Sequence, residues 1–274
     1  VVDCANGAAS THAPRLFASM GADVKVVAAD PDGVNINAGC GSTHPRMLQA
    51  VVSDSGADVG LALDGDADRV VAVDGTGNVV DGDQLMAMCA LDLHERGELI
   101  GDTVVVTVMS NLGFRLAMEA AGLHVHETPV GDRHILAAME ANGWVLGGEQ
   151  SGHIIFRRLA STGAGMLTGL QVLDLMKRTG RPLAELAAGA MTRMPQELRS
   201  VRVADPAHLK EAGGVWSAVA EVERALGERG RVLLRASGTE PVVRVMVEAD
   251  DHDVAAEAVT RLCGVVQEVL GTPS

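Results

Sequence analysis

The feature that most constrains this chain is a rhythm of short apolar runs, rich in Val and Leu and bounded by Gly or Asp, alternating with longer stretches of helical periodicity. Runs of this kind read as strands at residues 1–4, 23–27, 59–63 and 69–74, with helices at 13–20 and 45–55 between them. Apolar strands without polar alternation are covered on both faces, and strand-helix-strand order demands right-handed crossovers, so the pattern predicts a mostly parallel α/β sheet. The rhythm then restarts. Helices are expected at 83–94, 112–121, 132–142 and 165–179, and strands at 103–107, 124–127 and 145–147. The turn and breaker residues Arg178-Thr179-Gly180-Arg181-Pro182 open a connector. Beyond it, strands at 197–203, 230–235 and 242–248, with helices across 206–227 and 253–270, predict an α+β unit.

Composition narrows the chemistry. The formal charge of −14 argues against a nucleic-acid or anionic-membrane partner, so any phosphorylated ligand needs a local concentration of basic groups. Three Phe, two Trp and no Tyr leave few stacking platforms, and the core must be built of Val, Leu, Ala and Met. Cys4, Cys40, Cys89 and Cys263 are scattered without a CxxC pair, which fits a reducing cytoplasm better than a zinc ribbon or a stapled secreted domain. No run reaches bilayer-spanning length. The chain opens on a strand-like run with no initiator Met and reads as a piece of a longer protein.

Three loops could carry chemistry. Asp64-Gly65-Asp66-Ala67-Asp68-Arg69 follows the buried run Val59-Gly60-Leu61-Ala62-Leu63. Three carboxylates on alternate residues repel unless a cation sits among them, and an all-oxygen set selects a hard ion such as Mg²⁺. An EF-hand fails, because Gly75 stands where its last carboxylate belongs. A phosphatase with Asp64 as nucleophile is a weaker rival, since Asp68 stands where such enzymes usually carry Thr or Val. The second loop, Arg235-Ala236-Ser237-Gly238-Thr239-Glu240-Pro241 with Arg244 beyond it, gathers hydroxyls, backbone N–H groups and two guanidiniums suited to a phosphate dianion. The third, Gly147-Gly148-Glu149-Gln150-Ser151-Gly152-His153, offers donors and acceptors for sugar hydroxyls or an amine, although a polar Gly-rich turn explains it equally well. Nearby, Asp132 is a candidate helix N-cap and Arg133 a further anion ligand. His124 and His126 lack an acidic or Cys companion and read as structural, and Met86 and Met88 as helix core.

In the order metal loop, sugar loop, phosphate loop, and in segments such as Asp3-Cys4-Ala5-Asn6-Gly7-Ala8 and Thr107-Val108-Met109-Ser110-Asn111-Leu112-Gly113, the chain resembles the α-D-phosphohexomutase superfamily over its whole length. The resemblance implies two related α/β domains, the first truncated (1–82, then 83–180), followed by an α+β lid domain (190–274). It implies an isomerase whose phosphoserine, in a preceding domain, donates to the sugar through a 1,6-bisphosphate. It also implies Mg²⁺ at Asp64, Asp66 and Asp68 with Arg69 in support, a sugar phosphate held by Arg133, Glu149, Gln150, Ser151 and His153, and its phosphate by Arg235, Ser237, Gly238, Thr239 and Arg244. Gln150, where phosphomannomutase and phosphoglucomutase relatives usually carry Met, points to the branch that interconverts glucosamine 6-phosphate and glucosamine 1-phosphate for cell-wall precursors. The alternatives are a glucose or mannose phosphate mutase and a noncatalytic phosphosugar-binding module. Ala164 stands where relatives commonly have Asp, His134 where Tyr is frequent and Arg46 where Glu is frequent.

Overall fold

The computed structural model describes residues 1–238 and 240–271, which form two compact units, Val1–Thr192 and Arg193–Ser274. The first unit holds two sheets. One is built from β1 (Val2–Asp3), β2 (Val26–Val27), β3 (Val59–Leu63), β4 (Val70–Asp74) and β5 (Val79–Val80), in the order β2-β1-β3-β4-β5. Helices α1 (His12–Ser19) and α2 (Arg46–Ser55) make its crossovers, so β2, β1 and β3 run parallel. β4 departs from the parallel expectation. Only six residues separate it from β3, too few for a crossover, and the two pair antiparallel in register from Val59↔Asp74 to Leu63↔Val70. The acidic motif is therefore the turn of a hairpin.

The second sheet begins after α3 (Gly82–Glu95), whose start is fixed by a capping box: the Asp81 carboxylate accepts from the Gln84 N–H and the Gln84 side chain accepts from the Asp81 N–H. β6 (Thr103–Thr107), α4 (Leu112–Ala120), β7 (His124–Thr128), α5 (Asp132–Asn142), β8 (Leu146–Gly148) and β9 (Ile154–Phe156) follow, in the sheet order β7-β6-β8-β9. β6 pairs parallel with β7 and β8, and β9 returns antiparallel along β8. α6 (Gly165–Thr179) then ends at a left-handed Gly180. The breaker residues there make a turn, after which the chain continues within the same unit as α7 (Leu183–Ala190), with Leu183, Leu186 and Ala187 buried. Asp132 does not cap α5; Gly131 does, at φ 125, and Asp132 is the first helical residue.

The second unit pairs β10 (Gln196–Arg202), β11 (Gly230–Ala236) and β12 (Val242–Ala249) antiparallel in the order β10-β12-β11. Helices α8 (Gly213–Leu226) and α9 (His252–Leu270) cover one face. Alternation is strict on the central strand: Val243, Val245, Val247 and Ala249 enter the helix-packed core, whose buried members are all Val, Leu and Ala. Met86 and Met88 are core residues of α3, and His126 packs its ring 4.8 Å from that of Trp144. All four cysteines are free, and no helix of the described residues is long and apolar enough to cross a membrane.

Phe17 of α1 is 1% exposed and joins Val2, Leu61 and Ala13 beneath the first sheet. Truncation to Ala deletes a ring from a packed interior, so Phe17→Ala is expected to destabilise the first unit by about 3–5 kcal/mol in urea titrations.

Candidate functional site

The hairpin turn between β3 and β4 brings Asp64, Asp66 and Asp68 together, with one oxygen of each lying within 4.8 Å of the others. Asp66 is exposed; Asp64 and Asp68 are half-buried. Arg69 Nε stands 3.8 Å from Asp64 Oδ2 and 3.7 Å from Asp68 Oδ1, and the Arg69 N–H donates to Asp64 Oδ1 at 3.0 Å. Burial is the main force pushing the Asp64 carboxyl up to about 6, opposed by that backbone hydrogen bond and reinforced by Asp68 and Asp66. Asp68 Oδ1 is buried without a hydrogen-bond partner. A cluster of oxygens left short of donors is the donor set of a hard cation, and the triad can hold a metal ion.

Segments distant in sequence shape this turn. Asp3, fully buried, accepts from the Ala5 and Gly41 N–H groups through its two oxygens, tying the loop after β2 to the end of β1, and burial raises its pKa. The Ala8 N–H donates to the Gly65 carbonyl, and the Ser42 N–H to Leu63. The Asp3–Ala8 segment carries part of the family resemblance, but the bond from Gly41 to Asp3 joins residues 38 positions apart, and the sequence alone does not show it. The Thr107–Gly113 segment is anchored likewise, by the Asp83 carboxylate accepting from the Asn111 N–H at 2.8 Å.

The Glu149–His153 loop lies against the acidic hairpin. Arg69 and His153 form an antiparallel bridge, and the Val70 N–H donates to the Gly152 carbonyl at 3.1 Å. Gly152 is required there: its φ is +92, and a Cβ would overlap the Val70 carbonyl. On the far side, the Gly165 N–H donates to the Ala67 carbonyl, and the Gly163 N–H to His153 Nε2 at 3.2 Å. His153 is only 3% exposed, with Nε2 3.8 Å from Asp68 Oδ2, so its ring sits between the two loops. Ala164 precedes α6 with no side-chain cap. Glu149 accepts from the Gly131 N–H at 3.2 Å and from the Ser151 hydroxyl at 3.4 Å, which connects the loop to the start of α5. There Arg133 is exposed, its Nε 3.3 Å from His134 Nε2. Gln150 Nε2 is buried without a hydrogen-bond partner, while the Gln150 carbonyl accepts from the Gly82 N–H.

In the second unit, Arg235 and Arg244 are directly opposed across β11 and β12 and share the face turned away from the helices. The turn is closed by the Ser237 N–H to the Val242 carbonyl and by the Glu240 N–H to Ser237 Oγ. Arg244 Nη2 pairs with Glu240 at 3.2 Å, and Gly238 is exposed. Thr239 lies outside the described residues. The structure thus gathers Asp64, Asp66, Asp68 and Arg69 with Glu149–His153, and separately gathers Arg235, Ser237, Gly238 and Arg244.

Comparison with known proteins places the chain in a family. Residues 1–77, 81–194 and 198–264 match the phosphoglucomutase/phosphomannomutase models for alpha/beta/alpha domain II, alpha/beta/alpha domain III and the C-terminal domain, respectively. The chain is 57% identical over 273 residues to a phosphoglucosamine mutase of Frankia alni, covering 100% of this chain and 60% of that protein. It is 59% identical over 270 residues to a phosphoglucosamine mutase of Frankia casuarinae, covering 98% and 59%. The chain therefore spans about 60% of the length of these curated relatives. Among solved structures, N-acetylphosphoglucosamine mutase of Aspergillus fumigatus, in complex with GlcNAc-6P and magnesium, superposes with a TM-score of 0.81 at 25% identity, covering 97% of this chain and 65% of that one. With all three models matched in order across nearly the whole sequence, the chain belongs to the phosphoglucomutase/phosphomannomutase family.

Proposed function

We propose that the protein containing this chain interconverts glucosamine 6-phosphate and glucosamine 1-phosphate in the cytoplasm, feeding amino-sugar nucleotide and cell-wall precursor synthesis. The observation that carries the reading is the acidic hairpin hydrogen-bonded to the Glu149–His153 loop, which joins a cation site to a polyol-binding loop in one unit. The similarity to curated phosphoglucosamine mutases supports the choice of sugar. A serine outside this chain, phosphorylated, gives its phosphoryl group to the sugar O1; the 1,6-bisphosphate turns over, and the serine recovers a phosphoryl group from O6. Without that serine the chain alone does not turn over.

Each loop has a physical task in this scheme. Asp64, Asp66 and Asp68 would hold Mg²⁺, with Arg69 balancing their charge. When bound, Mg²⁺ offsets negative charge on the transferring phosphoryl group. Glu149 and Ser151 present oxygens to the sugar hydroxyls, and Gln150 between them shapes the loop. His153 holds the two loops in place from beneath, and Arg133 supplies a positive charge at the start of α5. Arg235, Ser237, Gly238, Thr239 and Arg244 bind whichever phosphate is not reacting, which orients the other end of the sugar. Nucleic acid and membranes are not partners, in keeping with the net charge of −14.

The test is turnover by the protein at its relatives' full length. With the serine phosphorylated and Mg²⁺ present, glucosamine 6-phosphate is expected to yield the 1-phosphate. Failure to convert it, with glucose 6-phosphate converted instead, would move the assignment to the glucose and mannose branch. Gln150→Met is expected to shift the kcat/KM ratio toward glucose phosphate.

The Asp64 carboxyl makes a second expectation. Its folded-state pKa is raised to about 6 from 3.8, so folding favours the protonated form: the metal-free chain loses stability as pH rises through about 6 and is relieved below about 4. Asp64→Asn removes the charge while keeping an acceptor for the Arg69 N–H, and should raise the metal-free Tm at pH 7.5 by about 2–4 °C. The same substitution should abolish stabilisation by Mg²⁺. In the unsubstituted chain, Mg²⁺ affinity measured by calorimetry should fall as pH drops through about 6, because protons compete for the ligand.

A further inference from the structure

The face of the second unit's sheet turned away from its helices carries more positive charge than the phosphate loop alone contains. On β10, Val201 lies in the helix-packed core and Arg199 donates to Thr260 of α9, so Ser200 and Arg202 occupy the opposite face. The register places Ser200 across from Arg244 and Arg202 across from Val242, while Arg235 stands opposite Arg244 on the other flank. Arg202 is thus the diagonal neighbour of Arg244 on the face that Arg235 shares. It also lies at the loop's end of the sheet, because the Val203 N–H donates to the Pro241 carbonyl at 3.0 Å.

Like charges opposite or diagonal on a sheet face repel, and nothing here quenches them fully. Arg202 and Arg235 have no hydrogen-bond or ion-pair partner among the described residues, and Arg244 has only Glu240. Glu248, the other carboxylate on this face, is buried against Arg231 at 2.6 Å. Three guanidiniums facing one carboxylate leave a local charge of +2. That matches a phosphate monoester, whose charge approaches −2 above pH 7.

We propose that Arg202 is a specificity-determining residue of the phosphate site, tuning it to a dianionic phosphate monoester over a singly charged ester of the same shape. The inference rests on the reading of Arg235 and Arg244 as phosphate ligands. Those two arginines supply the contacts common to any tetrahedral oxyanion; Arg202, with the Ser200 hydroxyl beside it, supplies the charge that the second negative charge of the phosphate requires.

Calorimetry on the 274-residue chain at pH 8 can separate the two claims, using glucosamine 6-phosphate and its monoanionic counterpart glucosamine 6-sulfate. The unsubstituted chain is expected to prefer the phosphate ester by about tenfold or more, the worth of one charge-assisted contact. Arg202→Gln should weaken phosphate binding about tenfold and leave sulfate binding within about twofold, collapsing the preference. Arg202→Lys, which keeps the charge, should retain it. Arg244→Gln should weaken both esters. If neither ester binds the unsubstituted chain, or Arg244→Gln changes nothing, the underlying phosphate-site reading fails. If Arg244→Gln weakens both while Arg202→Gln leaves the phosphate-to-sulfate ratio intact, that reading stands and the role of Arg202 is overturned. Collapse of the ratio in both Arg202→Lys and Arg202→Gln would overturn the charge-balance argument. Far-ultraviolet circular dichroism verifies that each variant is folded; Arg202 is exposed, so its replacement leaves the core untouched.

Discussion

Mutual repulsion among Asp64, Asp66 and Asp68 is the constraint around which the first unit is organised. Carboxylates whose oxygens approach within 4.8 Å push the turn apart, and burial of Asp64 makes the repulsion costlier. The turn is held by backbone hydrogen bonds from many directions: Ala8 to Gly65, Gly165 to Ala67 and Val70 to Gly152. Ala67 itself is held at φ 62, a left-handed conformation that a non-glycine residue adopts at some cost. Main-chain groups are suited to this work because they carry no net charge; one of them, the Arg69 N–H, binds Asp64 Oδ1, while the buried Asp68 Oδ1 has no hydrogen-bond partner among the described residues.

The second unit uses the opposite sign on a different scaffold. Its valines and leucines bury one face of a three-stranded sheet so thoroughly that the other face can carry Arg202, Arg235 and Arg244 in adjacent register positions. Apolar packing on one side thus offsets electrostatic crowding on the other. A chain with a net charge of −14 can hold an anion only by this local arrangement, with the nearest carboxylates already engaged by arginines.

Features written in contiguous residues were legible in the sequence. The run from Val59 to Leu63 with its acidic turn, the pair of strands flanking the Ser237 loop and the methionine core of α3 all have local signatures. The antiparallel course of β4 is set by the short hairpin, which the apolar pattern of the strand does not reveal. β5, of two residues, and β9, of three, were not among the expected strands. α7 was hidden because Gly180 and Pro182 announce a turn without saying that the chain returns to the same core. The roles open to Asp3, His153 and Arg202 depend on register and burial, which couple residues tens of positions apart. The resemblance to phosphohexomutases anticipated the family, and the three matched domain models bear it out.

The Glu149–His153 loop divides its duties between main chain and side chain. The carbonyl of Gln150 is fixed by the Gly82 N–H at the start of α3, whereas its side-chain Nε2 has no hydrogen-bond partner among the described residues. Drift at position 150 therefore leaves the loop's main-chain anchorage to Gly82 intact. The glycines on either side of the hairpin contact enjoy no such latitude, since the room at Gly152 is already taken by the Val70 carbonyl. Variation in this loop is expected to be lopsided: permissive at one residue and frozen two residues later.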